Sequence, residues 1–473
     1  MASDLQRTLS SRQISMLAIG GVIGVGLFYG AEVSVKLAGP AVILDFILCG
    51  VLVAIVMRSL GEMVVHSPVS GSFSYYASSV LSPQIGFISA GMWWFYWIAT
   101  VMSELAGIGK IAQFWAPGFP VWLPGLIALI LFTGSNLLAV KIFGEIEFWF
   151  ALLKVLAVAT FMVFGLMLMF TGVFSQGHIE TITNLWTHGG FMPNGVLGML
   201  MAMSLVVQAY SGIETLAVES GESYNPKQAL KRAFGSVTVR VGVLYVGSML
   251  IMLSAFPWNY LLHHAGSPYV LMFSRIGIPV AATIINAIII TSGLSSCDTG
   301  LYGGSRMLYS LAREGTLSPK LGKINHNSIP NVAVWVTALA IFMGIIITYV
   351  APNQVYVWIT SASAFADLFI WGVIIVSEIQ FRRKLSSAKS PTGPNSLDYP
   401  VPWWPVLPLI GLVMLVGIFA AFLISPLTRV SVWAGILFLA FMVMYAGVLQ
   451  RRNALPQEMA FGKDAVRQSS AES

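Results

Sequence analysis

The chain has 473 residues, of which 57% are hydrophobic and 9% charged, and its mean hydropathy is +0.81. So little polar surface cannot cover a water-soluble globule of this size, and the composition implies an integral membrane protein. The formal net charge of +6 does not call for an acidic macromolecular partner, because most of the loop cations fall in alternate connections between apolar segments, the opposite set holding only Arg275 and Arg429 with Lys36 at its border.

Apolar runs long enough to cross roughly 30 Å of hydrocarbon as helices occur at 14–36, 41–65, 84–115, 121–140, 146–172, 195–217, 237–262, 277–310, 330–350, 354–380, 404–425 and 430–450. The predicted fold is all-α and polytopic with about twelve spans. Trp115, Trp122, Trp358, Trp403 and Trp404 fall near span ends, where amphipathic rings favour the membrane interface. Arg7 and Arg12, Lys141, Lys227 to Arg232, Arg313 to Lys323, Arg382 to Lys389 and Arg451 to Arg467 mark one side, predicted to be cytoplasmic, with both termini on it. A polar N-terminus (1–13) leads into a first helix expected to be retained, since no cleavage site follows a short apolar core. The C-terminal tail (451–473) is read as a cytoplasmic extension.

The first span contains Gly20-Gly21-Val22-Ile23-Gly24-Val25-Gly26, and the sixth contains Ser211-Gly212-Ile213-Glu214. Both read as helix breaks. Glycine-dense or unwound backbone frees N–H and C=O groups, which a bilayer tolerates only where protein or ligand satisfies them. The breaks lie five spans apart, which predicts two structural repeats, 14–172 and 195–380, whose first helices meet near the midplane. The last two spans, 404–450, follow a Ser/Pro/Lys-rich stretch and read as an addition to a ten-helix core. Small-residue packing is the competing explanation of the glycines, because Gly20/Gly24 and Gly26/Gly30 are also GxxxG pairs. Among the connections, 66–83 reads either as an interfacial or gate element or as a plain surface connector, and 173–194 as an external segment able to fold over the entrance.

Cys49 and Cys297 both lie in apolar spans, so no structural disulfide is expected. Neither HExxH nor a phosphate-binding GxxxxGK[ST] occurs, leaving metal catalysis and nucleotide-driven pumping without support. No nucleic-acid partner, cofactor or obligatory protein partner is expected.

Several strings carry a resemblance. They are Gly20 to Phe28 with Ala38-Gly39-Pro40; Leu60-Gly61-Glu62-Met63 with Ser70-Gly71-Ser72-Phe73; Phe143-Gly144-Glu145-Ile146-Glu147-Phe148-Trp149-Phe150-Ala151 with Lys154-Val155; and Ser305-Arg306-Met307-Leu308-Tyr309-Ser310-Leu311-Ala312. On these the chain resembles the bacterial amino acid transporter (permease) family of the amino acid–polyamine–organocation superfamily. The resemblance implies five-plus-five inverted repeats with discontinuous helices 1 and 6, a multi-pass protein of the bacterial cytoplasmic membrane, and uptake of an L-amino acid with protons as the coupling ion. An exchanger of the same fold remains the nearest alternative; an ion channel or membrane enzyme is more remote.

Gly24, Val25 and Gly26 match the family positions whose backbone N–H groups hold the substrate carboxylate, consistent with the partial positive charge at a helix start. Val22, Gln208 and Ser211 match those whose carbonyls take the ammonium, and Gly212 and Ile213 complete the second bend. Lys154 matches a lysine that touches the first helix near Gly21 in place of a sodium ion. Burial would make its reversible protonation accessible, while snorkelling to the interface is the alternative. Glu214 is costly at hydrocarbon depth and has either a gating or a structural role. Glu104 matches an acidic family position, with a buried pair to another helix as the competing reading. Asp298 stands where the family commonly has Asn. Lys36 and Asp45, at the outer ends of helices 1 and 2, are expected to pair with each other.

Overall fold

A computed structural model describes residues 22–67, 72–138, 143–171, 181–215, 217, 226–263, 266–275, 279–325, 329–387 and 397–455. The described helices are α1 (Val25–Phe28), α2 (Gly30–Ala38), α3 (Val42–His66), α4 (Ser72–Val80), α5 (Pro83–Ala112), α6 (Trp122–Leu138), α7 (Phe143–Thr171), α8 (Gly195–Tyr210), α9 (Pro226–Ala255), α10 (Tyr260–His263), α11 (Pro268–Arg275), α12 (Pro279–Arg313), α13 (Asn331–Val350), α14 (Val355–Ser387), α15 (Val406–Ile424) and α16 (Arg429–Arg451). Each of the twelve predicted spans falls on described helix in whole or in part, and no strand occurs among the described residues. The protein is an all-α, multi-pass membrane protein.

Helix α5 occupies the centre, packed against α12 and α14. Glycines make this close approach possible. A Cβ on Gly300 of α12 would lie 2.7 Å from the Trp97 ring, and one on Gly293 would lie 2.6 Å from Val25 Cγ2. In lipid, association rests on such packing rather than on hydrophobic exclusion, so small residues at the contact line let backbones close in. The short helix α1 is thereby held between α5 and α12. By contrast, α13, α15 and α16 present Leu339, Val413 and Leu437 outward, as expected for faces in contact with acyl chains.

The segment between α2 and α3 turns at Gly39, whose φ of 63° suits glycine. It is covered by residues 181–194. Asn194 donates to the Leu37 carbonyl (2.8 Å), Asn184 donates to the Ser254 carbonyl (2.8 Å), and the Trp258 indole donates to the His188 carbonyl (2.8 Å). Among the described residues of the 66–83 connection, 72–80 form α4, which packs on α5, and Tyr76 donates to the Ser67 carbonyl at 2.6 Å. Residues 397–404 strap α3 to α14. Arg382 of α14 grips Glu62 of α3 through Nε (2.6 Å) and a terminal nitrogen (2.5 Å) and also donates to the Val401 carbonyl (3.1 Å), with Glu378 3.3 Å from its Nε. Arg58 lies over the Tyr399 ring and donates to the Pro400 carbonyl (2.7 Å).

Candidate functional site

Both predicted breaks are present. In the first, Ile23 and Gly24 fall outside helix, Gly24 is extended (φ −117°, ψ −166°), and α1 begins at Val25. In the second, α8 stops at Tyr210, Ser211 is extended (ψ 150°), and Gly212 takes φ 90°, which a side chain would strain. The chain resumes through turns from Gly212 to Thr215 (3.1 Å) and from Glu214 to Ala217 (3.0 Å).

Freed backbone groups must find partners when buried, and other helices supply them. Tyr245 donates to the Val22 carbonyl (3.0 Å), and Ser292 donates to the Ile23 carbonyl (2.8 Å). Across the break, the Val25 N–H donates to Glu104 Oε2 at 2.9 Å. Glu104 therefore caps the start of α1. A Cβ on Gly24 would collide with Glu104 Oε1 and lie 3.2 Å from Ser296 Oγ, so glycine at that position admits the carboxylate.

A buried cavity lies where the two breaks meet, lined by Val22, Gly24, Gly26, Tyr96, Trp97, Thr100, Glu104, Gln208, Ser211 and Ser296. Its free volume is about 10 Å³, enough for roughly one water molecule and far too small for an amino acid. This conformation is contracted. Gly26 faces the α8 backbone, with a Cβ there 3.5 Å from Ala209 Cα, so the two broken helices touch. Gln208 Nε2 donates to Thr100 Oγ1 (3.2 Å), which is linked to Ser363 Oγ (2.7 Å); Gln208 Oε1 has no hydrogen-bond partner.

Toward the α2 end, the Tyr29 and Tyr356 rings meet edge to face at 4.8 Å between centroids. Beyond them Lys110 donates to Asn353 Oδ1 (3.0 Å), and the Gly266 N–H and Lys36 donate to the Glu32 carboxylate at 3.1 and 2.7 Å. Lys36 thus pairs with Glu32, not with Asp45 as expected: residues four apart share a helix face, whereas Asp45 lies beyond the Gly39 turn and is fully buried without a hydrogen-bond partner.

Of the predicted site residues, Val22, Gly24, Gly26, Gln208, Ser211 and Glu104 line one cavity. Val25 contributes its N–H, while Gly212 and Ile213 shape the second turn behind it. Gly21 lies outside the described residues. Lys154 is 1% exposed and donates to Ser295 Oγ at 2.9 Å; its ammonium is inside the protein, which removes the snorkelling alternative. Glu104 accepts the Val25 N–H and is also acted on by the buried Lys154 of α7. Glu214 is fully buried in the second turn. Asp298 accepts from Asn136 of α6 at 2.6 Å. Sequence reasoning did not single out Tyr96, Trp97 and Thr100 of α5, nor Tyr245 and Ser292. The spacing of Tyr96, Thr100 and Glu104 by four residues places them on one helix face, a signal that was available.

Two interrupted helices crossing at a buried polar cavity, inside a shell of lipid-facing helices, define a membrane carrier. Sequence comparison supplies the family: a profile described as amino acid permease matches residues 13–459, and the chain belongs to the amino acid permease family. It is 38% identical over 453 residues to an uncharacterized amino acid permease, YtnA, of Bacillus subtilis, covering 95% of this chain and 97% of the relative. It is 34% identical over 441 residues to a probable threonine/serine transporter, YbxG, of the same organism (93% and 94% covered). It is also 34% identical over 430 residues to the aromatic amino acid transport protein AroP of Escherichia coli (91% and 92% covered). The protein is a transporter of the amino acid class and not an enzyme.

Proposed function

We propose that the protein imports a neutral L-amino acid across the bacterial cytoplasmic membrane together with protons, by alternating access around the two helix breaks, with both termini cytoplasmic. The observation that carries this reading is the carboxylate of Glu104 seated on the Val25 N–H. The start of α1 already holds an anion, and the carboxylate of an amino acid fits the same amides at Val25 and Gly26. The ammonium falls to the carbonyls of Val22, Gln208 and Ser211, which border the same cavity. Among the described lining residues there is one acid and no cation, which favours substrates with uncharged side chains. The names of the relatives, one referring to threonine and serine and another to aromatic amino acids, agree with that breadth and do not select within it.

Lys154 is the proposed link to protons. It is buried at Ser295 of α12, one helical turn from Ser292, which holds the Ile23 carbonyl of the first break. A change of its charge would be felt by α1 and by Glu104. The full-length protein in liposomes, tested with a panel of radiolabelled amino acids, should accumulate at least one when the interior is made alkaline. Uptake that ignores the pH difference and requires internal amino acid would replace the symporter by an exchanger; dependence on sodium would remove the role given to Lys154.

A further inference from the structure

The Gln208 side chain stands at the head of a chain of hydrogen bonds that links three helices. Its Nε2 donates to Thr100 Oγ1 of α5 (3.2 Å), Thr100 Oγ1 lies 2.7 Å from Ser363 Oγ of α14, and Ser363 Oγ donates to the Tyr96 carbonyl of α5 (3.2 Å). The direction of this chain follows from its far end. A carbonyl only accepts, so Ser363 spends its hydroxyl hydrogen on Tyr96, Thr100 spends its own on Ser363, and Gln208 must present nitrogen, not oxygen, to Thr100. The amide oxygen is left over. Gln208 Oε1 has no hydrogen-bond partner, although the residue is only 7% exposed and lines the cavity between the two helix breaks. A buried acceptor without a donor is costly, and the space beside this one is where a substrate would sit.

The walls of the cavity restrict what can bring that donor. With the substrate carboxylate on the amides at the start of α1 and its ammonium on the carbonyls at the two breaks, the substrate side chain is left to face α5 and the Gln208 amide. Trp97 lies along α12, where a Cβ on Gly300 would be 2.7 Å from its ring and one on Gly303 3.6 Å from its Nε1. It also meets the rings of Tyr96 (5.1 Å between centroids) and Trp93 (5.8 Å). The aromatic wall is thus braced from behind and suits a short side chain. A hydroxyl brings one hydrogen to one open acceptor, whereas a carboxamide would bring a further carbonyl, and both hydroxyl hydrogens of the chain are already committed. We propose that Gln208 determines specificity at this site, its Oε1 accepting a hydrogen bond from the side-chain hydroxyl of a short L-amino acid, serine or threonine. Thr100 and Ser363 are positioning residues: by fixing the amide's orientation they keep its oxygen free for the substrate. An aliphatic substrate of the same shape encloses Oε1 without a donor, and a site built around a substrate hydroxyl rejects such an analogue more strongly than shape alone can.

This inference rests on the substrate placement proposed above, and it is tested by binding, which needs no ion gradient. Equilibrium binding of radiolabelled serine, alanine, threonine, valine and phenylalanine is measured on purified, monodisperse full-length protein. The wild type should favour serine over alanine and threonine over valine by roughly tenfold or more in Kd. A ratio near one, or tighter binding of phenylalanine than of serine, would overturn the proposal without any variant. Gln208→Met, similar in length but lacking the amide, should bring the serine-to-alanine ratio toward one, and Thr100→Val, which frees the amide to turn, should lower it part of the way. If Gln208→Met weakens serine and alanine together and keeps the wild-type ratio, Oε1 serves the ammonium common to both and the proposal fails. A preference for the hydroxyl that depends on Gln208, in a protein whose uptake into liposomes ignores the pH difference, would remove proton coupling and uphold the role of Gln208. Binding of no amino acid at all would refute the function proposed above and this selectivity with it.

Discussion

Replacing Glu104 by Gln should tighten substrate binding. In this structure the Glu104 carboxylate already accepts the Val25 N–H at 2.9 Å, so an incoming amino acid carboxylate that uses the same amide must first displace it. Hydrogen bonds to charged groups contribute about 1.5–3 kcal/mol and neutral ones about 0.5–1.5 kcal/mol. Gln keeps an oxygen at the same reach but without the charge, so its hold on α1 weakens by about 1 kcal/mol, equivalent to roughly a fivefold lower Kd for substrate. The assay is equilibrium binding of a radiolabelled substrate to purified, monodisperse protein at alkaline pH, where Glu104 competes most strongly. The same titration with the methyl ester of that amino acid, which lacks the anionic carboxylate, should show no gain. If Glu104→Gln binds the amino acid no better or more weakly than the wild type, or binds the ester with an equal gain, then Glu104 does not compete for the site and the carboxylate position assigned here is wrong.

Three other outcomes follow from the same geometry. Lys154→Ala should reduce proton-driven accumulation roughly tenfold or more, within the range of typical site-to-site coupling energies, while weakening binding less; concentration of substrate with wild-type pH dependence would leave Lys154 a structural cation. Gly26→Ala should be tolerated, since its Cβ would sit 3.5 Å from Ala209 Cα, whereas Gly26→Leu adds three carbons beyond that Cβ against α8 and the cavity at a cost of about 1–3 kcal/mol and should abolish binding in protein that remains folded. Equal affinities for the two variants would count against the site. Arg382→Gln should destabilise the fold by about 3–5 kcal/mol, because it leaves buried Glu62 and Glu378 without their cation; thermal unfolding in detergent would show a lower midpoint than wild type, and an unchanged midpoint would mean that the Arg382 ion pairs contribute no stability.

The helices and their interruptions could be read from sequence because both are local properties. An apolar run of about 20 residues must satisfy its backbone internally, so the spans followed from hydropathy, and the clustered glycines and the Ser-Gly-Ile-Glu string marked where helical hydrogen bonding stops. Depth within a run also placed Glu104, Lys154 and Glu214 inside the membrane. Which groups meet there is a different matter: lipid is as apolar as the protein core, so no periodic pattern separates a lipid-facing position from one facing a neighbouring helix. Only tertiary packing decided that Glu104 would cap α1 at Val25, that Tyr245 and Ser292 would hold the carbonyls of Val22 and Ile23, and that Asp45 would be buried without a partner; the pairing of Lys36 with Glu32, four residues apart on one helix, was local and legible in the sequence.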